Sequence, residues 1–295
     1  MSVSDLAPCS LRAGEGAVQG IGYNRRGAGD VDLTLRVARF ERADRSLHLA
    51  SYACHPVTVG GTGDVTADWP EAFARGFGQD GGLGIVLQGC CGEVDPVTSR
   101  RQDGHGTPQD ARRVGEHLAA RAREIAATSD ECPVADIAGA ERRVALPLAV
   151  WDGERIGREA RAFVERFGGF PGAARFASEW ERLAREAEGR LAARPFLAGV
   201  PIQTVRIGPL RIVALPGEPF TRIGARIREA CPGAWVVGYA NGSIGYLPTR
   251  EAYDDPADYA CWCAPRLTTL VPFEPGLEDV LVRESCAALA ATSAP

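Results

Sequence analysis

Four side chains capable of chemistry fall at the ends of short strands or in the turns that follow them: His55, Asp95, Glu218 and Tyr246. The run before Glu218 shows why that placement matters. Ile212-Val213-Ala214-Leu215 has no polar alternation and stops at Pro216-Gly217, which reads as a strand buried on both faces and cut by a turn. Pro219 then suits the first turn of a helix with Phe220, Ile223 and Ile227 at helical spacing. Strand, sharp turn, acid and helix is how open α/β sheets gather side chains beyond the carboxyl ends of their strands. If the strands are parallel neighbours, all four groups share one crevice. His55, Glu218 and Tyr246 would then offer nitrogen and oxygen donors to a borderline divalent ion such as zinc, which in catalytic sites keeps one position open for water. Such a cation would ease proton loss from a phenol of pKa ~10. Water activated there would attack a carbonyl that the ion also polarises. Each residue alone also has a structural reading. Glu218 is a carboxylate facing a helix N-terminus, His55 closes a strand before Pro56, and Tyr246 packs a turn. The spacing holds no H-E-x-x-H or H-x-H pattern, and the set is one ligand short of four.

The elements that must position these groups are legible along the chain. Residues 1–22 are Gly-rich and weakly patterned, which predicts an arm or loop. Val31 to Val37 alternates as a half-buried strand, and after the turn at Ala43–Ser46 a second strand runs from Leu47 to Cys54. Residues 60–69 read as a loop and Pro70 to Phe77 as a short helix. Gly84 to Gln88 is a buried strand that runs into the tight turn Gly89–Pro96. Thr107 caps a helix with Pro108 at its first position and Val114, Leu118, Ala122 and Ile125 as its buried stripe. Arg143 to Leu148 is a strand. Residues 153–195 form two amphipathic helices broken at Gly168–Gly172, a helical hairpin lying over the sheet. Gln203–Ile207 and Arg211–Leu215 make a hairpin, Trp235–Tyr239 a strand, residues 249–275 an irregular stretch and Leu277–Ala290 a closing helix. The expectation is one α/β domain over 23–295: a mixed sheet flanked by helices, with its site at the carboxyl ends of strands.

Totals narrow the class. A chain of 295 residues buries a large core. Its net charge of −5 and pI near 5.5 argue against a nucleic-acid partner or an anionic membrane surface. No apolar run is long enough to span a bilayer. The opening residues show neither a charged n-region nor an apolar h-region, which points to the cytoplasm. Nine irregularly placed cysteines do not resemble a secreted disulfide framework and read mostly as buried free thiols. Cys54, Cys90 and Cys91, all at strand ends, leave thiol chemistry open if burial or charge depresses a thiol pKa.

Several segments resemble one family. Tyr52–Thr58 is similar to the F-A-x-H-P-x-S segment of neutral ceramidases and their bacterial relatives, and Asn24-Arg25-Arg26 with Asp30-Val31-Asp32 fits the same family. Thr66–Pro70 resembles its S-G-D-N-x-G segment and Gln88–Pro96 its N-x-G-D-V-S-P stretch. Leu215–Glu218 resembles its P-G-E motif, and Tyr239–Tyr253 its A-N-x-Y-x-x-Y-x-T-x-x-E-Y run. The resemblance implies hydrolysis of the amide of N-acylsphingosines at a zinc ion held by two histidines, a glutamate and a tyrosine. It maps the second histidine, the glutamate and the tyrosine onto His55, Glu218 and Tyr246. Two departures stand out. The family's other histidine lies in an H-T-H-S-G-P segment that this sequence lacks; His105, in the loop Asp103–Gly106, is the one substitute, since His48 sits mid-strand and His117 on a helix. The family's catalytic serine corresponds to Asp95, which can act as a base or orient water but cannot repeat a hydroxyl's role.

The resulting expectation is a zinc-dependent hydrolase of an amide or related carbonyl bond in a small molecule. Asp95 or Asp68 serves as base, and a separately encoded subunit carrying the family's N-terminal half supplies the missing histidine. The alternative is a non-catalytic scaffold subunit with a decayed metal site.

Overall fold

Small residues and leucines build much of the first sheet of this computed structural model, which describes residues 6–292 except 28, 61, 62, 64, 80, 103 and 135. Strands β1 (Ser10–Ala17), β3 (Thr34–Glu41), β4 (Ser46–Tyr52), β5 (Leu83–Gln88) and β7 (Glu131–Cys132) lie in the order β5-β4-β3-β1-β7. Only β4 and β5 run parallel, with Tyr52 opposite Gln88. The second sheet contains β8 (Ile137–Pro147), β9 (Phe196–Ile207), β10 (Leu210–Ala214) and β12 (Ala234–Val237) in the order β12-β10-β9-β8, with β10 and β12 parallel. Two short ladders complete the pairing: β2 (Gly22–Asn24) antiparallel to β6 (Val94–Pro96), and β11 (Glu218–Pro219) parallel to β13 (Tyr246–Leu247).

Three apolar clusters define four layers. Helices α1 (Asp68–Phe77) and α2 (Pro108–Thr128) bury Trp69, Phe73 and Leu118 against Leu35, Val37 and Tyr52 on the outer face of the first sheet. Leu11 and Ala38 of that sheet meet Leu210 and Trp235 of the second. The second sheet's other face packs against α5 (Thr221–Ala230), α7 (Leu277–Ala291) and the hairpin of α3 (Gly153–Phe167) and α4 (Ala173–Ala193). Fully buried side chains such as Phe73 and Leu118 each contribute about 2–3 kcal/mol of transfer free energy. Helix α2 starts as its sequence dictates: Thr107 Oγ1 accepts from Asp110 N at 3.2 Å, and Asp110 Oδ2 accepts from Thr107 N at 2.9 Å. A short helix, α6 (Pro265–Thr268), and a turn over Tyr259–Cys263 occupy the stretch expected to be irregular. Among the described residues no helix is long and apolar enough to cross a membrane.

Two expectations need correction. The single mixed sheet is two sheets stacked face to face, so the strands before His55 and Glu218 are not neighbours. Residues 10–17 are not part of an arm but a strand inside the first sheet, paired with β3 from Ser10–Glu41 to Ala17–Thr34; the first five residues lie outside the described residues. Glycine misled the reading. A Cβ at Gly14 would fall 2.2 Å from Ser129 Oγ and one at Gly16 3.0 Å from Ile125 Cδ1, so the glycines admit α2 rather than loosen a loop. Two strands also have shifted limits. The expected strand from Val31 begins at Thr34, because Asp32 instead accepts from Arg36 at 2.9 Å and pairs with Arg228 of α5 at 3.0 Å. The strand expected from Arg143 begins at Ile137 and follows β9 along its length.

Candidate functional site

The main chain fixes His55 before its imidazole does anything. Three residues beyond β4, its N–H donates to Val94 O at 2.9 Å and its carbonyl accepts from Trp69 Nε1 at 3.3 Å. The residue is 5% exposed. Glu218 follows β10 through the turn at Pro216-Gly217, where a Cβ on Gly217 would lie 2.5 Å from Gly245 O. The β11–β13 ladder then sets Glu218 directly opposite Tyr246, with Glu218 N donating to Gly245 O at 3.0 Å and Phe220 N to Leu247 O at 3.1 Å. The turn after β5 closes on both groups. Gly92 N donates to Pro219 O at 3.0 Å, while Gly92 O lies 3.4 Å from His55 Nε2.

The structure therefore brings His55, Glu218 and Tyr246 together. His55 Nε2 is 3.6 Å from Glu218 Oε2, the His55 and Tyr246 rings meet edge to face with centroids 6.2 Å apart, and the Glu218 carboxylate raises the pKa of the Tyr246 phenol. Two donors held by one zinc at ~2.0–2.1 Å in tetrahedral geometry stand roughly 3.4 Å apart, so the gap suits a shared ion. Among the described residues no group of three or more His, Cys, Asp or Glu side chains is set to hold a metal; this cluster joins one His, one Glu and a phenol.

Two residues to which the sequence assigned no role complete the surroundings. Tyr239 OH lies 3.2 Å from His55 Nδ1, and the Glu218 carboxylate helps raise the pKa of its phenol. Its position, just past β12, is the strand-end signal that marked the other groups, but it reads as the strand's last residue. Arg25 donates from Nη2 to Gly92 O at 2.9 Å, pairs through Nη1 with Asp95 Oδ1 at 3.2 Å, and sits 5.2 Å from the Tyr246 ring centroid. The β2–β6 ladder, which sets Tyr23 opposite Asp95, delivers this pair. Asp95 thus reaches the cluster through Arg25.

Asp68 is placed differently. Its Oδ2 accepts from Val59 N at 2.8 Å and its Oδ1 from Trp69 N at 2.8 Å, so the carboxylate ties the 58–60 loop to α1. His105 packs on Gly60 beside the Val59–Gly106 bridge, with Nδ1 3.0 Å from Gly106 O; Asp103 of its loop lies outside the described residues. His48 is buried edge-on against Phe77 and 2.7 Å from Ser46 Oγ, and His117 is exposed on α2.

Burial governs the protonation of the cluster. It lowers the His55 imidazole's pKa against the pull of Glu218, favouring the neutral ring that a metal ligand requires. It pushes Tyr246 up to about 12 and Tyr239 well above the phenol range, although Arg25 opposes the shift at Tyr246. Burial disfavours the Arg25 charge, but Tyr246, Asp95 and Glu218 raise its pKa above the ordinary value. Cys54, Cys90 and Cys91 are buried, and burial raises all three thiols, Cys90 to about 12. Thiol chemistry needs a depressed pKa, and burial acts in the opposite direction at all three.

No family model matches the chain. A neutral ceramidase of Mycobacterium tuberculosis (strain ATCC 25618 / H37Rv) is 42% identical over 62 residues, covering 18% of this chain and 10% of that one. The crystal structure of neutral ceramidase from Pseudomonas aeruginosa superposes with a TM-score of 0.66 at 18% identity, over 96% of this chain and 52% of that one. A ceramidase complexed with C2 matches equally well, at 17% identity over 96% and 53%. The chain spans about half the length of these solved relatives, and at such identities the likeness is one of fold. In fold this chain is neutral-ceramidase-like, as its motifs imply.

Proposed function

We propose that this chain carries most of the metal site of a zinc-dependent hydrolase acting on an N-acyl amide or related carbonyl bond of a small molecule in the cytoplasm. The observation that carries the reading is the 3.6 Å approach of His55 Nε2 to Glu218 Oε2, with Tyr246 beside them, from three turns far apart in sequence. His55, Glu218 and Tyr246 would hold the ion. The fourth donor, a histidine, would come from a separately encoded subunit corresponding to the part of the ceramidase fold that this chain does not span. When bound, zinc would polarise the scissile carbonyl and bring the pKa of water toward neutral.

The chain's own residues supply the rest. With an ion on Nε2, the proton would sit on Nδ1 of His55 and be donated to Tyr239 OH; without one, the acceptors Gly92 O and Glu218 Oε2 hold the proton on Nε2. Arg25 holds positive charge beside Tyr246 and favours its phenolate form. Asp95, oriented by Arg25, takes the proton from water. Asp68, with both oxygens engaged by backbone N–H groups, positions the loop that precedes α1.

The test is to purify the chain from its source with its co-purifying subunit and measure zinc by atomic emission. One zinc per assembly, lost in both His55→Ala and Glu218→Ala, is the expected result. Full zinc content in both variants would refute the metal site. Stoichiometric zinc and turnover in the isolated 295-residue chain would refute the split arrangement.

A further inference from the structure

We infer that the tip of the α3–α4 hairpin forms a subsite for a single compact apolar substituent of the substrate, an aryl or medium alkyl group; this rests on the amide-hydrolase reading above. A groove of about 410 Å³ opens there. Half-buried Phe163, Phe167 and Phe176 form its floor, and the exposed side chains of Phe170, Tyr259 and Leu267 form its rim. Phe163 packs against both neighbouring floor rings, with centroids 4.9 Å from Phe167 and 5.2 Å from Phe176. Exposed aromatic surface collected in one concavity, on a chain whose other faces are rich in Arg and Glu, marks a binding site rather than scattered apolar exposure.

Its position names the occupant. Tyr259 lines the groove, and its ring meets the Tyr246 ring edge to face at 5.9 Å. Tyr246 in turn adjoins His55 and Glu218. A molecule whose carbonyl sits at that cluster therefore reaches the groove past one side chain. On Tyr259's other flank, a smaller cleft of about 250 Å³ is lined by Arg25, Arg26, Asp255 and Asp258 and suits polar groups. The groove is near the small end of the ~300–1,000 Å³ range of small-molecule sites. It accommodates one compact tail, whereas the two long chains of an N-acylsphingosine exceed it. The substrate class is a one-tailed amide with its polar part toward Arg25 and Arg26.

Calorimetric titration of the protein as isolated from its source tests this without turnover, using 4-phenylbutanamide and acetamide as the probe and its tail-less control. At least tenfold tighter binding of 4-phenylbutanamide is expected. Leu267→Arg and Phe170→Arg, at positions 63% and 75% exposed and so harmless to folding, are expected to abolish that advantage. Equal affinity for the two amides, or an advantage that survives both variants, would overturn the proposal. So would a dimer that Phe170→Arg converts to monomer, because the groove would then be an interface. Groove-dependent binding without hydrolysis of any anilide would leave the subsite standing and remove the hydrolase reading. Hydrolysis indifferent to both variants would do the reverse.

Discussion

Glu218 and Asp68 sit in comparable places, each at a corner where the chain enters a helix, yet they are partnered in opposite ways. Asp68 receives two backbone N–H groups at 2.8 Å, one on each oxygen. Glu218 faces side chains: the imidazole of His55 and the phenols of Tyr239 and Tyr246. Glu93 belongs with Asp68, since both its oxygens face Thr221 N at the start of α5, at 3.0 and 3.1 Å. An acid saturated by main-chain donors holds two segments together. An acid surrounded by other potential donors of a lone pair is available to a cation. Residue type, burial and nearness to a strand end do not separate these cases; the partners do.

The contrast is broken or sharpened by substitution. The largest effect is expected at the cation side: His55→Ala and Glu218→Ala should each weaken zinc binding by more than the ~10–100-fold that loss of a supporting partner costs, measured by competition with a chelator, with little change in urea unfolding. Asp68→Ala should do the opposite. It leaves the Trp69 and Val59 N–H groups unpaired and strips the local hydrogen bond from a residue held at φ 53°, costing about 2–4 kcal/mol in urea unfolding while zinc affinity stays within threefold. If Asp68→Ala abolished zinc binding in a stably folded protein, the distinction would collapse.

Glu93 gives a pH signature. Burial raises its pKa from the usual carboxylate range to about 7, against the favourable hydrogen bonds from Thr221. A folded-state pKa above the unfolded one means that the native state holds the proton more tightly. The stability this contributes is complete below about pH 4.5 and is lost as pH rises through 7. Over that window Glu93→Gln should gain on the wild type by up to ~3 kcal/mol, read from unfolding curves at pH 5 and pH 8. A constant difference between the two proteins would show that Glu93 is ionised throughout. The smallest effect belongs to Tyr239→Phe, which removes the partner of His55 Nδ1 and should weaken zinc binding about tenfold without altering stability.

Much of this was legible in the sequence, for identifiable reasons. The helical hairpin, the Thr107 cap and the strand before Glu218 are set by local periodicity and by Pro and Gly punctuation, which act within a few residues. His55 and Glu218 were found because each follows an apolar run, and Tyr246 because its turn follows a strand and fits a family motif. What local patterning cannot carry is how strands are shared between sheets: two stacked sheets and one mixed sheet have the same apolar strands. Nor can it distinguish a glycine that loosens the chain from one that admits a helix, so β1 was hidden by Gly14 and Gly16. Arg25 stood out only as part of a family segment, because its role depends on the β2–β6 ladder, which joins segments seventy residues apart.

The division of the cluster between two sheets has a mechanical corollary. His55 extends from the first layer and Glu218 from the second, so together they are the jaws of a caliper whose opening reports the spacing of the layers. Between the layers lies the apolar seam of Leu11, Ala38, Leu210 and Trp235. Thickening or thinning that seam would splay or close the jaws, and a bound ion would grip the sandwich in return.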